Sequence, residues 1–179
     1  APLLWHHLRQ AEVAIPAETE QMLRGSYLRQ RHATQMHTRV LLEVSELFLQ
    51  AGIRASVLKG LGLAYQIYPD PALRPISDID LLLKREDILP AREILADAGY
   101  RVDALDPAAA QLPWEVTADS PLRNGLRTHI ELHYPGFRGR AQLDDHSVDD
   151  EFDGFLAPSV PLSVENGTIY VPDSLEHLV

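Results

Sequence analysis

"VLKGLGLAYQIYPDPALRPISDIDLLL" occupies residues 57–83, and how it is read decides the fold. "RASVL" (54–58) reads as a short buried strand, and "GLGLAYQIY" (60–68) as a helix leaving it. Residues 69–75 form a loop, because each of its prolines disfavours helix in the residue before it. "DIDLLL" (78–83) is then the next strand. On a strand, residues two apart share a face, so Asp78 and Asp80 project together while Ile79 and Leu81 point the other way. Two carboxylates that close repel each other, and a divalent cation removes the repulsion. Mg²⁺ suits such hard oxygen ligands and commonly takes one or two carboxylates plus substrate phosphates. A bare Asp-x-Asp is a weak signal: the same residues could cap a turn or pair with Arg74.

Outward from this stretch the pattern is helix and strand in turn. Residues 3–13 are weakly helical. Pro16 opens a longer helix whose apolar face recurs at Ala33, Met36, Val40, Val44, Leu47, Phe48 and Ala51, with Gly52 as its stop. "REDILPAREILADAGY" (85–100) is a further helix ended by Gly99, and "RVDAL" is a strand end. "WEVTA" (114–118) and "RTHIELHY" (127–134) read as strands. "SVPLSV" and "TIYV" form a hairpin around "ENGT" (165–168), which carries an Asn-Gly turn signal. "PDSLEHLV" starts a helix with Asp173 as its cap and Glu176 three residues on. The expectation is a mixed sheet with helices packed on it, an α/β or α+β domain. Residues 1–52 form an N-terminal helical segment, 53–172 the core, and 173–179 the start of a C-terminal helix expected to continue. The chain lacks an initiator Met, so a trimmed N-terminus is expected.

Composition narrows the function. The chain has 179 residues, 45% of them apolar, no cysteine, and a formal net charge of −10. Without cysteine there are no disulfides, thiol nucleophiles or Cys-based zinc sites, which fits a cytoplasmic location. No apolar run approaches the roughly 20 residues that cross a bilayer, so no membrane association is expected. Basic surface supplies most non-specific nucleic-acid affinity, so an acidic chain is a poor general DNA binder. A phosphate substrate remains open to it where metal ions or local arginines supply positive charge.

A third carboxylate follows in "HIELHY". Ile130 and Leu132 face one side of that strand, and His129, Glu131 and His133 the other. A strand beside 78–83 would bring Glu131 to the Asp pair; alone, the alternation equally describes a solvated face. His129 and His133 lie roughly 13 Å apart along a strand, too far to share one zinc ion.

"VLKG", a short helix, "YPDPALRPISDIDLLL" and "IELHY" together resemble the uncharacterised nucleotidyltransferase family of bacteria, a branch of the polymerase-beta-like nucleotidyltransferase superfamily. The resemblance runs from the 40s to the C-terminal helix and is strongest over 57–83. It implies a small mixed sheet flanked by helices, with a glycine turn before a helix, paired carboxylates on two divalent ions, and a third carboxylate from a neighbouring strand. Carried over, Gly60 is the turn, Asp78 and Asp80 are the metal pair, and Glu131 is the third carboxylate, with Mg²⁺ or Mn²⁺ as the ions. The superfamily often has Gly-Gly or Gly-Ser at the turn; here it is Gly60-Leu61, so Lys59 and Arg74 are the natural phosphate contacts. Similar patterns occur in nucleotidyltransferase toxins of toxin–antitoxin systems.

The chemistry so implied is attack of an acceptor hydroxyl on the α-phosphate of a nucleoside triphosphate, with pyrophosphate leaving. Asp78, Asp80 and Glu131 would hold the ions, with Glu131 also taking the acceptor's proton. Lys59, Gly60, Arg74 and Ser77 would meet phosphates, and Arg suits bidentate phosphate contact. The acceptor could be a protein, an RNA or a small molecule. The rival reading is a catalytically inactive nucleotide sensor of the same fold. A nucleotide-sugar glycosyltransferase is less apt, for lack of a longer doubly wound region before the Asp-x-Asp. Arg123, Arg127, Arg138 and Arg140 could form an anion patch or a solvated hairpin. Residues 143–155 are acidic and too irregular for an EF-hand. Trp5 and Trp114 are read as core rather than base-stacking platforms.

Overall fold

The computed structural model describes residues 1–105, 115–134 and 159–173. Helix α1 (Pro2–Gln10) packs against α2 (Ala17–Gln50), which has 34 residues and is about 51 Å long at the usual helical rise. Glu18 and Glu20 in the first turn of α2 suit the positive end of its dipole. Gly52 just beyond its end takes φ +78°, the left-handed stop that glycine permits. The C-terminal half of α2 buries Val40, Leu41, Val44 and Phe48, whereas much of its N-terminal half is exposed.

Strand β1 is only Ser56–Val57, and helix α3 (Lys59–Ile67) begins almost at once. The turn expected at Gly60 is made by Lys59, whose φ is +40°, and Gly60 already lies inside the helix. The glycine that close packing requires is Gly62. A Cβ there would stand 2.7 Å from the Val57 carbonyl oxygen, so α3 lies too near the strand it has just left for any larger residue.

The Pro-rich loop contains a short 3-10 turn, Pro71–Leu73. Its cap is Asp70, which accepts the Ala72 N–H at 2.9 Å and the Tyr27 hydroxyl at 2.6 Å. Strand β2 (Asp78–Leu82) follows, then α4 (Ile88–Asp97), β3 (Arg101–Val102), β4 (Glu115–Asp119), β5 (His129–His133), β6 (Ser159–Val164) and β7 (Gly167–Pro172). In the last hairpin Val164 pairs with Gly167, so Glu165 and Asn166 make the turn, with Glu165 at φ +50°. The turn therefore sits one residue before the Asn-Gly pair.

The described strands form one mixed sheet in the order β3-β4-β5-β2-β1-β7-β6. β2 is antiparallel to β1 and parallel to β5, which is antiparallel to β4. Ile79, Leu81, Val116, Ala118, Ile130 and Leu132 share a single buried cluster with Val40, Leu41 and Val44 of α2, Leu61 of α3, and Ile88 and Leu95 of α4. Helices thus cover one face of the sheet. The cluster draws residues from both sides of position 52, so the N-terminal helical segment is built into the core. This is the mixed α+β class that the order of elements suggested. Of the expected C-terminal helix, residues 174–179 lie outside the described residues. Among the described residues no helix is long and apolar enough to cross a membrane.

Candidate active site

The polar residues lie on the face of the sheet opposite the one that the described helices pack against. Strict alternation places Asp78 and Asp80 of β2 there, together with His129, Glu131 and His133 of β5 and Thr117 and Asp119 of β4. The parallel register pairs Asp78 with His129 and Asp80 with Glu131, and β4 sets Thr117 opposite Glu131 and Asp119 opposite His129. Neighbouring strands lie about 4.8 Å apart, so residues distant in sequence become contact neighbours.

Asp80 is the hub. Its Oδ1 lies 3.0 Å from Lys59 Nζ and 3.2 Å from His133 Nε2. The same His133 nitrogen is 3.2 Å from Glu131 Oε2. The Asp80 and His133 side chains are only 6% and 3% exposed, so the charge on Asp80 is balanced by these partners rather than by water. Burial pushes the Asp80 carboxyl up. Hydrogen bonds from His133 and Lys59, and their charge, outweigh burial and hold it below the usual carboxylate range. Glu131 moves the opposite way: burial, then the carboxylates of Glu115 and Asp80, raise its pKa. Two carboxylates on one buried patch thus titrate apart.

Lys59 reaches Asp80 because the β1–β2 ladder runs one residue past β1. The Leu58 N–H donates to the Asp80 carbonyl at 3.0 Å, and Lys59 comes next at the first turn of α3. Gly60 stands beside the Asp78 carbonyl, where an added Cβ would make an ordinary 3.6 Å contact. Arg74 is half-buried, and its Nε is buried without a hydrogen-bond acceptor among the described residues. Ser77 is exposed.

One further member of the group had not been anticipated from sequence. Asp80, Glu131 and His133 each offer a ligand atom, and these atoms lie within 4.8 Å of one another. Two carboxylate oxygens and an imidazole nitrogen make a chemically apt donor set for a divalent ion. Its distance from His129 along the strand gives no hint of this, because one partner, Asp80, comes from the neighbouring strand and the other, Glu131, is two residues away on its own. His129 instead pairs through Nδ1 with Asp119 Oδ1 at 2.9 Å, and Arg101 closes on the other oxygen of that carboxylate. The hydrogen bond to Asp119 raises the His129 pKa and lowers that of Asp119.

Other candidates resolve differently. Arg123 forks onto both oxygens of Glu43, which also accepts the Tyr100 hydroxyl at 3.0 Å; it ties the β4–β5 turn to α2 and is not a free anion contact. Arg127 is exposed, while Arg138, Arg140, Trp114 and the acidic run 143–155 lie outside the described residues. Trp5 carries Arg9 over its ring at 5.6 Å. Both line a cavity of about 380 Å³ at the junction of α1 and α2, to which none of the sheet's carboxylates contributes.

No curated protein matches the chain. Among solved structures, a chain of the complex between the Type VI effector Tas1 and its immunity protein is similar at 16% identity with a TM-score of 0.41, over 82% of this chain and 79% of that one. The profile of a family described as "Uncharacterised nucleotidyltransferase" matches residues 1–179, and the chain belongs to that family.

Proposed function

We propose that this protein is a metal-dependent nucleotidyltransferase moving a nucleoside monophosphate from a nucleoside triphosphate to an acceptor hydroxyl. The observation that carries the proposal is the parallel pairing of β2 with β5, which sets Glu131 beside Asp80 on the polar face. Asp78, Asp80 and Glu131 are the carboxylate ligands, and His133 adds a nitrogen donor. A bound divalent ion would neutralise triphosphate charge and make the acceptor hydroxyl easier to deprotonate. An imidazole beside two carboxylates suits Mn²⁺ as well as Mg²⁺.

In the reaction the acceptor oxygen forms a bond to the α-phosphorus, the bond from that phosphorus to the bridging oxygen breaks, and pyrophosphate departs. Glu131 takes the acceptor's proton. Lys59, Gly60, Arg74 and Ser77 meet the phosphates. The buried Nε of Arg74, with no acceptor among the described residues, supports its part, because a buried donor without a partner is costly unless a ligand supplies one. Most of the rate advantage in phosphoryl chemistry comes from such positioning and charge neutralisation.

The test is incorporation of label from each α-labelled triphosphate into cell-extract macromolecules and metabolites, using wild type and Asp80→Ala. Label that appears with wild type and vanishes with the variant supports transfer and reveals the acceptor as protein, RNA or small molecule. Triphosphate binding that persists in Asp80→Ala and in EDTA, with no label transferred, would instead make the protein a nucleotide sensor.

A further inference from the structure

We infer that Lys59 is a built-in stand-in for the divalent ion, and that ion binding displaces it from Asp80 toward the triphosphate. This rests on the divalent-ion reading of the site and goes beyond it, because it makes ion and nucleotide binding interdependent through one side chain.

Three observations carry the inference. First, the Lys59 ammonium and His133 Nε2 share a single oxygen of Asp80, at 3.0 and 3.2 Å, so this carboxylate already has the positive neighbour that an ion would provide. An ammonium and a divalent cation drawn to that one oxygen repel each other, so ion binding there favours release of one positive partner. Second, the partners differ in freedom. His133 and Asp80 are almost fully buried, whereas the Lys59 side chain is 44% exposed on a flexible four-carbon stem. Lysine is the partner that can move. Third, Lys59 holds φ +40°, a left-handed backbone that lysine rarely adopts and that is retained where the surroundings enforce it. That backbone places the base of the side chain at the first turn of α3, beside Gly60, where phosphates are proposed to sit. A small swing of the stem therefore exchanges a carboxylate for a phosphate without moving the main chain.

Two consequences follow. Without nucleotide, the ion competes with Lys59 and binds more weakly than its donor set allows. With nucleotide, the released ammonium gains a phosphate partner, so each ligand raises the affinity for the other by the same factor.

The experiment measures Mn²⁺ binding to the full chain from the resonance of free Mn²⁺, first alone and then with a non-hydrolysable triphosphate analogue. Removing the ammonium in Lys59→Met should tighten Mn²⁺ binding alone by roughly tenfold, within the usual range of coupling factors. It should also weaken the analogue and shrink the mutual enhancement seen in wild type toward one. Lys59→Asn, whose short side chain tolerates the left-handed backbone, carries the same test if the Met variant does not fold. Unchanged or weaker Mn²⁺ binding in the folded variant overturns the inference while leaving the ion site standing. Mn²⁺ binding that is absent from wild type, or unaffected by Asp80→Ala, would overturn the ion site itself.

Discussion

The polar face of the sheet holds two aspartate–histidine pairs with opposite characters. Asp119 and His129, 2.9 Å apart at the β4–β5 side, are joined by Arg101 and partly solvated. Asp80 and His133, 3.2 Å apart at the β2–β5 side, are nearly sealed, and their third and fourth partners are Glu131 and Lys59. In the first pair the extra group is a cation, and the charges close on one another. In the second, burial pushes Asp80 up but hydrogen bonds from His133 and Lys59 hold it low, while burial and the carboxylates of Glu115 and Asp80 push Glu131 up. Residue types are the same; burial and the neighbouring groups set the two pairs apart, with Glu131 3.2 Å from His133 and 3.9 Å from His129.

Asp80→Ala should break the contrast most severely. It removes the hub of the buried pair, and we expect transfer to fall roughly a thousandfold, or about 4 kcal/mol of barrier, with loss of divalent-ion binding. Label transfer and titration calorimetry with Mn²⁺ check this; transfer within tenfold of wild type would contradict it. His133→Gln keeps a polar side chain but loses the imidazole, and ion affinity should drop about 10- to 100-fold. The matching His129→Gln should change ion affinity less than threefold, and an equal effect from both would erase the distinction between the pairs.

Gly62→Ala acts on the scaffold of the buried pair alone. Its Cβ meets the Val57 carbonyl, which cannot yield, so denaturant unfolding should show a loss of about 1–3 kcal/mol. Gly60→Ala, with only ordinary contacts, should stay within about 1 kcal/mol of wild type. A matching loss in both would mean that α3 is held differently.

The smallest effects are in pH dependence. Glu131 has a raised pKa in the fold, so its contribution to stability is present at low pH and is lost as pH rises through that value. A divalent ion offsets the repulsion that then remains. The rise in melting temperature on adding Mn²⁺ should therefore grow as pH rises through the raised pKa of Glu131. At the solvated pair, Asp119 contributes above the ordinary carboxylate range and loses its contribution as pH falls through its lowered pKa. His129 contributes below the ordinary imidazole pKa, about 6.5, and loses its contribution as pH rises through its raised value. Asp119→Asn should flatten both limbs of the melting curve against pH and leave the Mn²⁺ effect intact.

Much of this arrangement was legible in the chain itself. Periodicity marked α2, and Gly52 and Gly99 marked helix ends, because those signals are local. The alternation in "DIDLLL" and "HIELH" assigned each side chain to a face. Register was not legible, since nothing within either strand says which residues stand opposite. His133 was missed for that reason: distance along its own strand counts for nothing when the partner is one strand away. The turn also moved from Gly60 to Lys59. Glycine permits a left-handed backbone without demanding it, and the tight contact at Gly62 fixes where the helix must begin.

The parallel pairing of β2 with β5 also orders events in time. Lys59 is 21 residues from Asp80, whereas His133 is 53 residues away. Parallel strands joined by so long a connection close slowly, because the chain loses loop entropy before the contacts form. During synthesis Lys59 and Asp80 are both made before the β5 residues. Because Glu131 and His133 arrive with β5, ion-binding capacity should mature with the slowest phase of folding. A chain ending between Asp80 and Glu131 would hold the aspartates and the lysine, yet lack Glu131 and His133.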